Sequence, residues 1–311
     1  MLIQIGFFLC NFFLIQEMKT SKLLLIKPAR FGFNAQTASS NSFQNKSEEN
    51  NLNIQQKAVE EFKSVVSKAK KIGLNIIFFE DTQTPVKPDA IFPNNWVSFH
   101  HDFTIIYPMQ AQNRRLEKRL ELISKINQNK MIDLSYFEEK NEFLEGTGSM
   151  VFDHKNKLIY ACISPRTHLN PLKAVAELLN YNFLLINAET KPGSAIYHTN
   201  VLMCIAQNYV VVCLEAIPSN NDKKRLIQSF KKTNKTIIEI TLDQMHQFAG
   251  NMLEVFVNGL SVLIMSSTAY NSLKPNQIKE LEVFSKIETF NIPTIEYYGG
   301  GSIRCMLAEI N

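Results

Sequence analysis

Residues 251–266, NMLEVFVNGLSVLIMS, carry two runs of apolar and β-branched residues on either side of Asn258-Gly259, and predict a strand–turn–strand hairpin. The pattern recurs upstream in NWVSFHHDFTIIYP (95–108), SMVFDHKNKLIYACIS (149–164) and NVLMCIAQNYVVVCL (200–214), with HHD, HKNK and AQN as polar tips. After each hairpin come an amphipathic helix and a short buried strand. RRLEKRLELISKI (114–126) leads to MIDLSY, PLKAVAELL (171–179) to NFLLINA, KKRLIQSFKK (223–232) to TIIEIT, and KPNQIKELEVFSKI (274–287) to TIEYY. QQKAVEEFKSVVSKAKKIG (55–73) with LNIIFFE is the same pair, and its Ala58, Phe62, Val65, Val66 and Ala69 fall on one helical face. The fifth hairpin is divided: SIRCMLAEI (302–310) is expected to pair with KLLLIKP (22–28).

The hairpins begin at Asn95, Gly148, Asn200, Asn251 and Cys305, at intervals of 53, 52, 51 and 54 residues. One ββαβ unit cannot bury both faces of its sheet, so five such units are expected to close into a ring. An ordinary α/β sheet would repeat this order and spacing only by coincidence. Ring closure brings the five hairpin lead-ins around one mouth.

Those lead-ins are polar or small where a strand would normally start apolar. PDAIFPNNW carries Asp89, Asn94 and Asn95; FLEGTGS carries Glu145 and Gly148; YHTN carries His198 and Asn200; FAGN carries Asn251; GGGSIRC carries Arg304 and Cys305. Cysteine chemistry needs a thiolate, a proton shuttle and a group that orients the shuttle, and Cys305, His198 and Glu145 fit those roles. A lone strand cysteine is usually a small buried hydrophobe, which is the reading for Cys162, Cys204 and Cys213. Joint placement at equivalent repeat positions separates Cys305 from them.

Composition excludes several classes. Lys+Arg exceed Asp+Glu by only 33 against 29, with no clustered basic block, so no nucleic-acid partner is expected. Five cysteines without CxxC spacing argue against a disulfide framework or a zinc site. His100 and His101 sit in a turn without partners at metal spacing, and GGGS (299–302) lacks the Lys of a phosphate loop. No metal or cofactor is expected. The apolar stretch 1–17 lacks a basic start and a cleavage site and is too short to span a bilayer. It reads as an extension or a misplaced start ahead of a single catalytic domain, 18–311. A cytoplasmic location, a small-molecule substrate, no membrane partner and a possible homo-oligomer complete the expectation.

Near-equal repeats, the EG pair, HTN and the GGGxxRCM run resemble the guanidine-modifying superfamily of arginine deiminases, dimethylarginine dimethylaminohydrolases and amidinotransferases. PARFGFNAQTASSNSFQ, PDAIFPNNW, LEGTGS, YHTNVLMC, AGNML and GGGSIRCMLAEI are most similar to its arginine-deiminase-related citrulline hydrolase (citrulline ureidase) subgroup. The resemblance implies a five-bladed α/β propeller and covalent catalysis. By that likeness Cys305 is the nucleophile, His198 the general acid/base and Glu145 the conserved acid. Asp89 would hold a substrate α-amino group, and Arg166 and Arg114 an α-carboxylate. Asn94, Asn95 and Asn200 are further substrate contacts, and Asn34, Asn41 and Gln44 belong to an expected lid.

Arginine deiminases carry Asp at the positions of Asn95 and Asn200. Those carboxylates face a guanidinium cation. Amides suit a neutral ureido group, donating to its oxygen and accepting from its N–H groups without a charge penalty. The expected activity is therefore hydrolysis of citrulline to ornithine, ammonia and CO2. Alternatives are a deiminase-type hydrolase or amidinotransferase acting on arginine or a derivative, and a non-catalytic propeller used as a binding module.

Overall fold

The computed structural model describes residues 20–126 and 128–310. The expected extension 1–17, with Cys10, lies outside the described residues. The first strands are β1 (Lys22–Lys27) and β2 (Asn75–Glu80), joined through a helix, Asn51–Lys71. That helix starts where the Asn50 side chain accepts the Leu52 N–H, and it buries Ile54, Ala58, Phe62, Val65, Val66 and Ala69 on one face.

Three-stranded sheets then follow one another. They are β3 (Val97–Phe99), β4 (Phe103–Ile106) and β5 (Lys130–Asp133); then β6 (Met150–Asp153), β7 (Leu158–Cys162) and β8 (Asn182–Ile186). A small hairpin, β9 (Glu189–Lys191) with β10 (Ser194–Ala195), interrupts the repeat and was not anticipated. Then come β11 (Met203–Ile205), β12 (Tyr209–Val212) and β13 (Thr236–Glu239), and β14 (Leu253–Val257), β15 (Leu260–Ser266) and β16 (Lys286–Phe290). Finally β17 (Ala308–Ile310) pairs antiparallel with β1, Leu24 opposite Ala308, while β1 pairs parallel with β2. Each of the five three-stranded sheets has the same plan: an antiparallel inner pair and a parallel outer strand.

Among the described residues these five sheets form the blades of an α/β propeller. Phe99, Phe152, Cys204, Glu254 and Glu309, one from each inner strand, line a common axial cavity of about 250 Å3. Local chemistry explains the tight turns. Asn258 (φ 49°) and Gly259 (φ 79°) supply the two positive φ angles that a two-residue hairpin loop needs between Val257 and Leu260. Cys162, Cys204 and Cys213 are buried core residues, and burial pushes their thiols up to about 12, 12 and 11.

The structure corrects the sequence reading in three places. TIEYY is not a strand: the fourth blade's outer strand is Lys286–Phe290, and TIEYY lies in the helix Pro293–Gly299. Pro293 occupies the first helical turn, where its missing N–H costs nothing, and the Glu61 carboxylate accepts the Thr294 and Ile295 N–H groups at 2.9 and 3.0 Å. The helix expected over 114–126 is split into Gln112–Arg115 and Leu120–Ile126. The break lets Arg114 and Glu117, both 2% exposed, turn inward and bond each other. Lastly, the hairpin lead-ins are single helical turns rather than strand starts at 93–95, 146–149, 199–202 and 303–306.

Candidate active site

Four of those turns, with the coil at Asn251, converge on one end of the propeller axis. Cys305, His198, Asn95, Asp89, Arg114 and Arg166 line a single narrow cleft there. Tyr197, Phe92 and Asn41 also face it, none of them marked by the repeat pattern as a site residue. The axial cavity lies on the other side of a floor that includes Asn200 and Thr147.

Cys305 sits in the 303–306 turn with its N–H bonded to Ser302 O at 2.9 Å. The preceding glycines permit this close packing. Gly300 has φ +60°, and a Cβ there would fall 2.7 Å from the Asn41 amide nitrogen. Burial pushes the Cys305 thiol up, opposed chiefly by the Asn251 hydrogen bond. Asn251 Nδ2 donates to Sγ at 3.3 Å and Asn200 Nδ2 at 3.5 Å.

His198 Nε2 lies 2.9 Å from Glu145 Oε2. Donation of Nε2–H to that carboxylate leaves Nδ1 as the basic nitrogen. Nδ1 faces Gly148, where a Cβ would sit 2.7 Å from it and 2.5 Å from Asn95 Nδ2. Neither Asp nor Glu fits at 148. Burial lowers His198 to about 4, the Glu145 contact offsetting only part of the effect. That shift favours the neutral imidazole, whose Nδ1 can accept a proton.

Glu145 is fully buried. Burial opposes its ionisation, but Arg166 (3.4 Å), His198 and Arg114 (3.5 Å) hold the carboxyl well below the usual carboxylate range. Its second oxygen accepts the Gln110 N–H at 3.1 Å. Asp89 is raised by burial; its Oδ2 accepts from Asn34 at 2.8 Å, and its Oδ1 has no partner.

Two arginines differ in what they have free. Arg114 is held by Glu117 through two 3.0 Å bonds and donates to Asn95 Oδ1 at 2.9 Å. That donation fixes the Asn95 amide, so its buried, unpartnered Nδ2 points away from Arg114, on the side of Gly148 and His198 Nδ1. Glu117 was not foreseen, although its i, i+3 spacing from Arg114 was visible. Arg166 instead bonds the 34–44 loop, reaching Ser40 Oγ at 2.8 Å and Thr37 O at 3.2 Å, and lies over the Tyr197 ring. Asn41 ties the same loop to Gly299 O, and Gln44 accepts from Thr37.

Asn94 and Asn200 do not line the cleft. Asn94 Nδ2 turns to Thr147 Oγ1 at 3.2 Å and joins the first two lead-in turns. Asn200 stands behind the sulfur, its Oδ1 buried without a partner. Among the described residues no group of three or more His, Cys, Asp or Glu is placed to hold a metal ion, and no helix is long and apolar enough to cross a membrane.

The model of the eukaryotic N,N-dimethylarginine dimethylhydrolase family matches residues 27–311. A search of curated sequences finds no match. Among solved structures, the N-terminal domain of ArgZ, a cyanobacterial arginine dihydrolase of the ornithine-ammonia cycle, superposes with TM-score 0.73 at 16% identity when bound to substrate. The match covers 94% of this chain and 98% of that one. This chain spans 40% of full-length ArgZ, which superposes with TM-score 0.74 at 15% identity over 94% of this chain. A dimethylarginine dimethylaminohydrolase carrying an S-methyl-L-thiocitrulline adduct has TM-score 0.67 at 16% identity, over 94% of this chain and all of that one.

Proposed function

Because the chain belongs to the N,N-dimethylarginine dimethylhydrolase family of the guanidine-modifying superfamily, and is a hydrolase of carbon–nitrogen bonds other than peptide bonds, we propose that Cys305 attacks the ureido carbon of citrulline or a close analogue. One observation carries the substrate choice. Asn95, which stands where a carboxylate would oppose a guanidinium, carries a neutral and unpartnered Nδ2, whereas Glu145 is consumed by two arginines and a histidine. With Asp89 engaged by the α-ammonium, a guanidinium against Asn95 would meet an N–H donor where a carboxylate is needed, at a cost on the order of several kcal/mol. A ureido group brings none.

The amino acid end has its own contacts. Asp89 Oδ1 is an open acceptor for an α-ammonium, and Arg166 offers its fork to an α-carboxylate in exchange for its bonds to the loop. Arg114, already saturated, positions Asn95 instead of clamping substrate.

In the proposed reaction the Cys305 proton passes to His198 Nδ1 as sulfur bonds to the ureido carbon. Asn95 Nδ2 donates to the oxygen as it gains charge. His198 then protonates the departing side-chain nitrogen, the C–N bond breaks, and ornithine leaves an S-carbamoyl enzyme. Water, losing its proton to His198, displaces the thiol and yields carbamate, which decays to ammonia and CO2.

A second reading, a guanidino substrate such as arginine or a methylated arginine, is favoured by the matched family and by the arginine dihydrolase relatives. Purified protein incubated with citrulline should release ornithine and ammonia. Citrulline appearing from arginine, with citrulline itself untouched, would overturn the first reading in favour of the second. Inertness toward all these substrates, with Cys305 unreactive to iodoacetamide, would indicate a binding module. Cys305→Ala should abolish turnover with the fold retained.

A further inference from the structure

Among the described residues no cation is in hydrogen-bonding contact with the sulfur. His198 spends Nε2–H on Glu145, and the Arg304 guanidinium is bonded to Leu307 O at 2.8 Å and directed toward Glu309. What does touch Sγ is a pair of side-chain amides, from Asn251 and Asn200.

The orientation of the Asn251 amide is determined. Its Oδ1 accepts the Arg304 N–H at 3.1 Å, so Nδ2 must face the other way. One hydrogen of Nδ2 goes to Asn200 O at 3.0 Å, leaving the other for Sγ at 3.3 Å. Asn251 is fully buried, so water does not compete for these bonds. An amide NH2 group donates and cannot accept from a thiol, and a neutral thiol is a weak acceptor. The contact therefore gains strength only when the sulfur is ionised.

We propose that Asn251 is a catalytic residue: with Asn200 it forms an uncharged two-donor cradle that holds the Cys305 thiolate. The assignment rests on Cys305 as nucleophile, but not on which substrate it attacks. Its logic also suits a ureido ligand. A cationic substrate would itself favour ionisation of the thiol beside it, whereas a neutral one contributes nothing, and the protein must supply the donors. Asn200 is the weaker partner, at longer range and with its own orientation set only by the sulfur.

The test is the pH dependence of Cys305 alkylation by iodoacetamide, followed on the Cys305 peptide by mass spectrometry without substrate. In Asn251→Ala the midpoint should rise by about one pH unit, a roughly tenfold slower alkylation at any pH below both midpoints. Asn200→Ala should shift it less. Asn251→Asp keeps the acceptor for the Arg304 N–H and should shift it further, which serves if the alanine variant does not fold. An unchanged midpoint in folded Asn251→Ala or Asn251→Asp, even with a lower melting temperature, overturns the proposal by leaving Asn251 a purely structural role. Failure to turn over citrulline would sink the substrate reading and leave these midpoints as they are.

Discussion

Adding a single methyl group at position 148 tests the site's geometry directly. An alanine Cβ there would lie 2.5 Å from Asn95 Nδ2, 2.7 Å from His198 Nδ1 and 2.8 Å from His198 Cε1. Ordinary contacts begin near 3.4 Å, so both side chains must retreat by roughly 0.7–1 Å, the scale of misplacement that costs on the order of 100-fold in rate. Gly148 lies in a helical turn and its φ is not in the left-handed region, so Ala is locally acceptable there. Overpacking should cost about 1–3 kcal/mol. Gly148→Ala is therefore expected to fold, to melt a few degrees lower, and to lose about 100-fold in kcat with the smaller change in KM. Stopped assays of ornithine release, with melting followed by circular dichroism, separate the two effects. A folded variant with wild-type kcat would refute the placement of Asn95 and His198 on either side of this glycine.

Asn95→Asp preserves the acceptor for Arg114 but replaces the unpartnered donor with an anion, so kcat/KM for citrulline should fall about 100-fold. Arginine should gain relative to citrulline, and faster citrulline turnover would contradict the amide reading. Glu117→Gln leaves Arg114 short of its bidentate carboxylate and should destabilise by about 3 kcal/mol in urea melts, with turnover falling as Asn95 loses its anchor. Stability should also depend on pH. His198 is depressed to about 4 and His100 to about 3, both first by burial, so the unfolded chain binds protons that the folded one refuses. The stability these groups contribute is present above about 6.5 and is lost as pH falls toward 4. Urea midpoints should decline across that window, and His198→Gln should make the slope shallower.

Local chemistry carried most of the architecture. Alternation in 253–257 and 260–264 with Asn-Gly between them marks a hairpin in any context, and the repeat interval then orders the blades. TIEYY misled because its β-branched and aromatic residues favour strands, while the decisive signal was Pro293 just before it. The break after Arg115 had no local cause, because Arg114 and Glu117 are drawn inward by Asp89, Asn95 and Glu145 from other segments. At the site, equivalent repeat positions were enough to bring Cys305, His198 and Glu145 under suspicion. The direction of each amide was not legible. Asn94 and Asn95 are adjacent in sequence yet bond opposite ways, and Asn251 meets the sulfur only through packing of the last two blades.

Ring closure through β1 and β17 gives the folding reaction a clasp. Leu24 must wait for Ala308 while the intervening blades can form from nearby residues, so joining these two strands is a late, entropically expensive step. Because Lys22 lies opposite Ile310, a short linker between them would make this blade a continuous hairpin like the others. Opening the chain instead in the loop after Ile217, within another blade, should yield a circular permutant with the same tertiary structure and a different final step. Its refolding rate would then report the cost of fastening that other blade.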